Sequence, residues 1–562
     1  MRCLPPLIVT AALALAACQV KVPAPEYDVI VRGGTIYDGS GGQPVIADVG
    51  VRGQRIASIG DLGKVHAARE IDAKGMAVAP GFVNMLSWAP DSLYIDGRSQ
   101  SDIRQGVTLE VFGEGESLGP LTDEIRKADL AAQGDLKHPI DWTTLGEGLD
   151  ALVKKGISPN IASFVGAATI REHELGYVDR APTPDELKRM QDLVRQAMHE
   201  GALGVGSALI YAPAFYAKTP ELIALAQAAG ESGGAYISHM RSEGNRLLES
   251  LGELMTIASA AHIHGEVYHF KAAGAGNWTK FSQAIAKIDE ARAKGLDISA
   301  NMYTYTAGAT GLDAAMPPWV QEGGVEAWIK RLKDPAIRAR VAKEMREPTD
   351  AWENLLIAAG KPDNVLLVAF DSEALKPLTG KTLAEVAKLR GKSAEETAMD
   401  LVVEDHSRVG TVYFLMSEDN VKLGLSQPWV ALGSDEGSYA PEGVFLKFQP
   451  HPRAYGNFAR FLGHYVRDGH VASLADAVRR LASLPAHNLK LHDRGELKAG
   501  NFADIVIFDP ATIDEHATFD HPQQYATGMR DVFVNGVQVL KNGEHTGATP
   551  GQVVRGPGYV AK

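Results

Sequence analysis

The stretch AYISHMRSEGNRLLESLGELMTIASAAHIHGEVYHFKAAG, residues 235–274, holds one complete strand–helix–strand unit. Residues 235–238 and 266–269 are short apolar runs rich in β-formers, and NRLLESLGELMTIASAAH between them repeats apolar residues at helical spacing. A helical crossover of this kind makes the two strands parallel. Each strand runs out into a histidine, His239 and His269, thirty residues apart.

The same alternation extends in both directions. Core strands are predicted at 76–83, 107–112, 160–166, 203–208, 235–238, 266–269, 297–303 and 429–433, many of them followed by amphipathic segments such as FSQAIAKIDEARAKG. Eight alternating units predict an α/β fold, a closed (β/α)8 TIM barrel. The competing doubly wound open sheet lacks a phosphate-binding glycine fingerprint after its first strand. Most crossovers are short, but residues 311–425 carry helical stretches of their own (VEAWIKRLKDPAIRARVAKEM, SAEETAMDLVVED) and predict an insertion covering the site.

Both ends of the chain read as β structure. YDVIVRGGTIYDGSG, ADVGVRGQRIASIG and AREIDAKGMAVAP are hairpin patterns with glycine-rich turns. RGELKAGNFADIVIFDP and MRDVFVNGVQVLKNGEHTGATPG repeat the pattern near the C-terminus. A small β domain built from 27–77 and 491–562, flanking a barrel at 78–490, accounts for both. A barrel of about 250 residues fits within 562 with room for these additions.

The opening MRCLPPLIVTAALALAACQV reads as targeting rather than fold: Arg2, then a short apolar run, then small residues before Cys18. The run is too short to span a bilayer, and LAAC resembles a lipoprotein cleavage box. Residues 1–18 are therefore expected to be an export signal and 19–26 a tether, with a periplasmic location and a possible lipid anchor at Cys18. Cys3 and Cys18 are the only cysteines, so the folded body has no thiol nucleophile, disulfide or thiolate ligand. A net charge of −13 argues against a nucleic-acid partner and leaves a small molecule as the expected one. Oligomeric state is not legible.

Chemistry in parallel barrels gathers at the C-terminal ends of the strands. Those ends carry Glu114, His239, His269, Tyr303 and Asp435. Neutral imidazoles with a carboxylate make a zinc set that leaves a position for water, and a further carboxylate can move that water's proton. On chemistry alone Glu116 competes with Glu114, Glu436 with Asp435, and Tyr305 with Tyr303.

Several blocks then become recognisable in order: VRGGTIYDGSG, APGF, ESLGPL, YISHMRSEGNRLLES, VYHFKAAG, YTYTAG, PWVALGSDEG, PHPRAYGNFARFLGHYVRD and DRGELKAGNFADIVIFDP. Over nearly the whole exported part the chain resembles the N-acyl-D-amino-acid deacylases (D-aminoacylases) of the amidohydrolase superfamily. The resemblance implies a barrel with a β-sandwich formed from both termini. It also implies zinc ligands at His239 and His269, a catalytic aspartate at Asp435, and a clamp for the substrate carboxylate at Lys271, Tyr303 and Arg453. Two departures stand out. The family's His-x-His after strand one aligns with Leu86-Ser87-Trp88, and its cysteine ligand aligns with Glu114. Glutamate is itself a competent zinc ligand. The expectation is thus a hydrolase of N-acyl amino acids with one Zn2+ per chain, held by Glu114, His239 and His269.

Overall fold

The computed structural model describes residues 26–561. The expected leader and all but the last residue of the tether lie outside the described residues. Eight short parallel strands follow one another: β1 (Phe82–Asn84), β2 (Val107–Phe112), β3 (Asn160–Ser163, continued by Val165–Gly166), β4 (Gly204–Ala208), β5 (Ala235–His239), β6 (Gly265–Val267), β7 (Ile298–Met302) and β8 (Val430–Leu432). β1, β2 and β3 form one parallel sheet, and the continuation of β3 opens a second that runs in chain order to β8. Backbone hydrogen bonds join the two sheets at both edges, from Phe164 to the Phe112 carbonyl (2.9 Å) and from Met85 to the Leu432 carbonyl (3.0 Å). Every residue in these strands is buried, which is why they read as near-continuous apolar runs rather than as alternation.

Helices separate the strands and cover them. Leu247–Ala261, between β5 and β6, buries Leu247, Ser250, Leu251, Leu254, Ile257 and Ala258, the i, i+3, i+4, i+7 stripe of an amphipathic helix. Pro184–His199, between β3 and β4, starts with a capping box in which Thr183 and Glu186 satisfy each other's backbone N–H groups.

Nine strands from the two chain ends form a separate sheet. Ala77–Pro80 pairs antiparallel with Ile505–Phe508 and parallel with Tyr27–Ile36, so the start and the end of the chain share one layer. This corrects the strand expected at 76–83. The run divides at Gly81, with Ala77–Pro80 in the terminal sheet and Phe82–Asn84 in β1. A β-carbon at Gly81 would lie 2.1 Å from Thr108 Oγ1, so only glycine lets the chain pass from one sheet to the other there. The run is apolar throughout because both sheets bury it.

Between β7 and β8 the chain forms an antiparallel sheet of Ala307–Gly311, Gly410–Phe414 and Val365–Ala369, with helices around an apolar cluster that includes Leu312, Trp328, Val341, Leu383, Met399 and Tyr413. The helices match the expectation for residues 311–425, and the sheet is an addition to it.

Candidate metal centre

Glu114, His239 and His269 converge at the C-terminal ends of β2, β5 and β6. Glu114 Oε1 lies 3.1 Å from His239 Nδ1 and 2.8 Å from His269 Nε2, and all three residues are buried. One donor atom from each lies within 4.8 Å of the others. Backbone geometry aims these groups. Gly113 (φ +105°) and Gly115 (φ +73°) flank Glu114, and a β-carbon on them would meet the Phe164 carbonyl at 2.4 Å and Ala208 Cβ at 2.7 Å. The turn that presents Glu114 therefore requires glycine on either side. His269 (φ +34°) and Asp435 (φ +54°) take the left-handed region that side chains disfavour. They are held there by hydrogen bonds from His269 N to Asn301 Oδ1 (3.0 Å) and from Asp435 N to the Leu86 carbonyl (2.8 Å). Such strain costs on the order of 1–3 kcal/mol and persists only where surroundings enforce it.

Glu243, which sequence reasoning missed, completes the cluster. Its Oε1 lies 3.0 Å from His269 Nδ1 and its Oε2 3.6 Å from His239 Nε2, so one carboxylate backs both imidazoles on the side away from Glu114. A carboxylate in that place fixes the tautomer and orientation of a metal-binding histidine. The signal in the sequence was the four-residue spacing from His239 to Glu243. Lys271 Nζ donates to Glu243 Oε1 (2.7 Å) and to the His269 carbonyl (3.0 Å), so this expected clamp residue already has partners within the cluster.

Asp435 sits beside Glu114. Trp88 Nε1 reaches both carboxylates, 3.1 Å from Glu114 Oε2 and 3.3 Å from Asp435 Oδ1. Arg453 Nη2 is 3.0 Å from Asp435 Oδ2, and its guanidinium lies over the Tyr303 ring, 4.5 Å from the centroid. Arg453 is only 1% exposed, yet its Nε and Nη1 make no hydrogen bond among the described residues. Tyr303 lines the same cavity, of about 490 Å3, as do Glu116 and Glu436. Tyr305 instead packs against His451 and Phe519. Glu116 is exposed and stands outside the donor cluster. Glu436 lies 3.7 Å from Arg453 Nε.

The charges suit a divalent cation. Four carboxylates (Glu114, Glu243, Asp435, Glu436) face two cations, Lys271 and Arg453. Burial and Lys271 push the His269 imidazole toward its neutral form, but Glu243, Glu114 and Asp435 outweigh them and lift it to about 9. Burial works against Glu114, but His269 and His239 hold its carboxyl well below the usual range. Glu243, Glu114 and Asp435 thus favour a proton on the His269 imidazole. Two imidazoles and a carboxylate are a borderline-soft donor set suited to zinc, whose binding would displace that proton.

Comparison with known proteins gives the family. Residues 139–540 match the model of the amidohydrolase family. D-aminoacylase of Alcaligenes xylosoxydans xylosoxydans is 34% identical, over 94% of this chain and 97% of its own. Among solved structures, a D-aminoacylase studied for the role of its binuclear metal centre, with one-metal activation and second-metal attenuation, superposes with a TM-score of 0.79 at 32% identity, over 94% of this chain and 100% of that one. N-acyl-D-glutamate deacylase of Bordetella bronchiseptica, complexed with zinc and a phosphonate mimic of the tetrahedral intermediate, gives a TM-score of 0.78 at 30% identity, over 94% and 99% of the two chains. With its zinc-capable centre and full-length relatives of this kind, the chain belongs to the amidohydrolase family, grouped with the N-acyl-D-amino-acid deacylases, and is a hydrolase of amide bonds.

Proposed function

We propose that this protein deacylates N-acyl-D-amino acids to a carboxylic acid and the free amino acid, with one zinc ion per chain held by Glu114, His239 and His269. The observation that carries the reading is the meeting of those three donors with Asp435 at one mouth of the parallel strands, where the family's strand-one histidines are replaced by Leu86 and Trp88. The two parallel sheets are read as one (β/α)8 barrel over 78–490, and the sheet from both chain ends as its β-sandwich.

A zinc ion in such a donor set supplies Lewis-acid polarisation of a carbonyl and of water. The chain's own residues supply the rest. Asp435 takes a proton from the attacking water as the new C–O bond forms, and returns it to the nitrogen as the C–N bond breaks. Burial, together with Glu114, raises its carboxyl against the pull of Arg453, the direction that suits a carboxylate that must take up a proton. Arg453 Nη1, buried without a hydrogen bond among the described residues, offers its N–H groups to the substrate carboxylate, with Tyr303 alongside. Lys271 holds Glu243 in place and adds positive charge near the same anion.

Export and lipid anchoring through Cys18 belong to the same proposal, on the strength of the leader sequence. Palmitate labelling that disappears in Cys18→Ser tests them. For the activity, the purified chain is assayed on paired D and L N-acyl amino acids with zinc content measured in parallel. Hydrolysis of D substrates at about one zinc per chain is expected; no hydrolysis across the panel contradicts the reading.

A further inference from the structure

We propose that the indole N–H of Trp88 stands where a second metal ion would act, keeping the centre mononuclear and positioning its general base. The inference rests on the one-zinc reading above and adds to it a cause within this chain.

Trp88 is fixed from its backbone outward. Its N–H donates to the Glu436 carbonyl (3.0 Å), and Ser87 N donates to the Val111 carbonyl (2.9 Å). Ser87 Oγ donates to the buried Glu110 (2.8 Å). From this base the indole extends over the cavity, 43% exposed, and Nε1 points into the gap between Glu114 and Asp435. Indole nitrogen has one proton and no available lone pair, so it is a donor only and cannot bind a metal. Here the single proton is shared by two carboxylates.

The two oxygens of Glu114 are thereby divided. Oε1 faces His239 and His269, whereas Oε2 faces Trp88. A carboxylate that bridges two metals through its two oxygens needs both of them free, and here the second is capped by a neutral donor. Leu86, the other residue aligned with the missing histidines, is 1% exposed and packs among Val83, Leu109 and Ala431, where it offers no donor atom. Asp435 is likewise held on both oxygens, Oδ1 by Trp88 and Oδ2 by Arg453. Trp88 thus does with one N–H what a bridging cation would do with charge, tying the ligand carboxylate to the base carboxylate. It follows that excess zinc leaves this enzyme active, unlike a centre with room for a second ion.

Three full-length proteins test this: wild type, Trp88→Phe, which keeps the ring without the donor, and Trp88→His, which replaces the donor with a metal-binding nitrogen. Zinc per chain is measured after equilibrium dialysis against rising zinc, and kcat and KM are determined at each concentration. Wild type is expected to level at one zinc and to keep its kcat in excess zinc. Trp88→Phe should keep one zinc and KM while kcat falls about 10-fold or more, the worth of a hydrogen bond to a charged group. Trp88→His should take up a second zinc. The role of Trp88 is overturned if wild type binds two zinc ions, if Trp88→Phe keeps the wild-type kcat, or if Trp88→His stays at one zinc. A wild type that binds no zinc or hydrolyses no N-acyl-D-amino acid would instead overturn the function on which the inference rests.

Discussion

Strand β6 and its extension carry two histidine–carboxylate clusters a few residues apart, with opposite character. Below the mouth, Glu266 accepts from Asn301 Nδ2 (2.8 Å), Ser299 Oγ (2.9 Å) and Asn488 Nδ2 (3.2 Å), while His264 Nδ1 lies 2.8 Å from Asp297 and its Nε2 2.9 Å from Ser299 Oγ. Every polar side-chain atom of Glu266 and His264 has a partner there. At the mouth, His239 Nε2 and two nitrogens of Arg453 are buried without hydrogen bonds among the described residues, beside a cavity. Both clusters set histidines against carboxylates. Satisfaction separates them: a closed network specifies a core, whereas an open one has donors and acceptors left for a metal and a substrate. Asn301 links the two, donating to Glu266 below and accepting from the strained His269 backbone above.

Removing a ligand should break the comparison most severely. His269→Ala or Glu114→Ala is expected to lose bound zinc and about 10^3-fold or more in kcat/KM, a metal's polarisation being worth several kcal/mol. Metal analysis beside the assay checks both. Asn301→Leu severs the link between the networks, leaving Glu266 and the His269 N–H each short of a partner. A loss of about 3 kcal/mol in unfolding free energy is expected, together with reduced activity, read by denaturant titration. Glu243→Gln keeps the shape but withdraws charge from behind the imidazoles. Competition with a chelator should show zinc affinity down about 10- to 100-fold, with the circular dichroism spectrum unchanged. The smallest effect belongs to the closed network. Although burial opposes it, Asp297 and Glu266 raise the folded-state His264 to about 9, above its ordinary value of 6.5. That stabilisation is complete below pH 6.5 and fades as pH rises through 9. His264→Gln should therefore destabilise by about 2 kcal/mol at pH 6, a figure reduced because Asp297 is largely exposed. Near pH 10 the difference should vanish, which melting curves across pH will show.

What the sequence disclosed follows the same division. Parallel strands buried on both faces leave continuous apolar runs, so the alternating units were legible, and strand ends then pointed to His239, His269 and Asp435. Boundaries were less so. The apolar run through Gly81 has no break in composition, and only the crowding against Thr108 shows where one sheet ends. VLLVA and GTVYF in the insertion have strand composition, but the helices around them dominate the pattern. Glu243 looks in sequence like any loop acid, because what singles it out is burial against two imidazoles contributed by different strands. Trp88 read as a lost ligand, since the direction of an N–H is a property of three dimensions and not of spacing.

The central claim is a single zinc ion on Glu114, His239 and His269 in a working deacylase. Anomalous diffraction at the zinc edge, on crystals grown with excess zinc and an N-acyl-D-amino acid analogue, tests it most directly. One zinc peak per chain is expected, bounded by those three side chains, with the ligand's carboxylate on Arg453. A second peak between Glu114 and Asp435, or a zinc held by other residues, would contradict it.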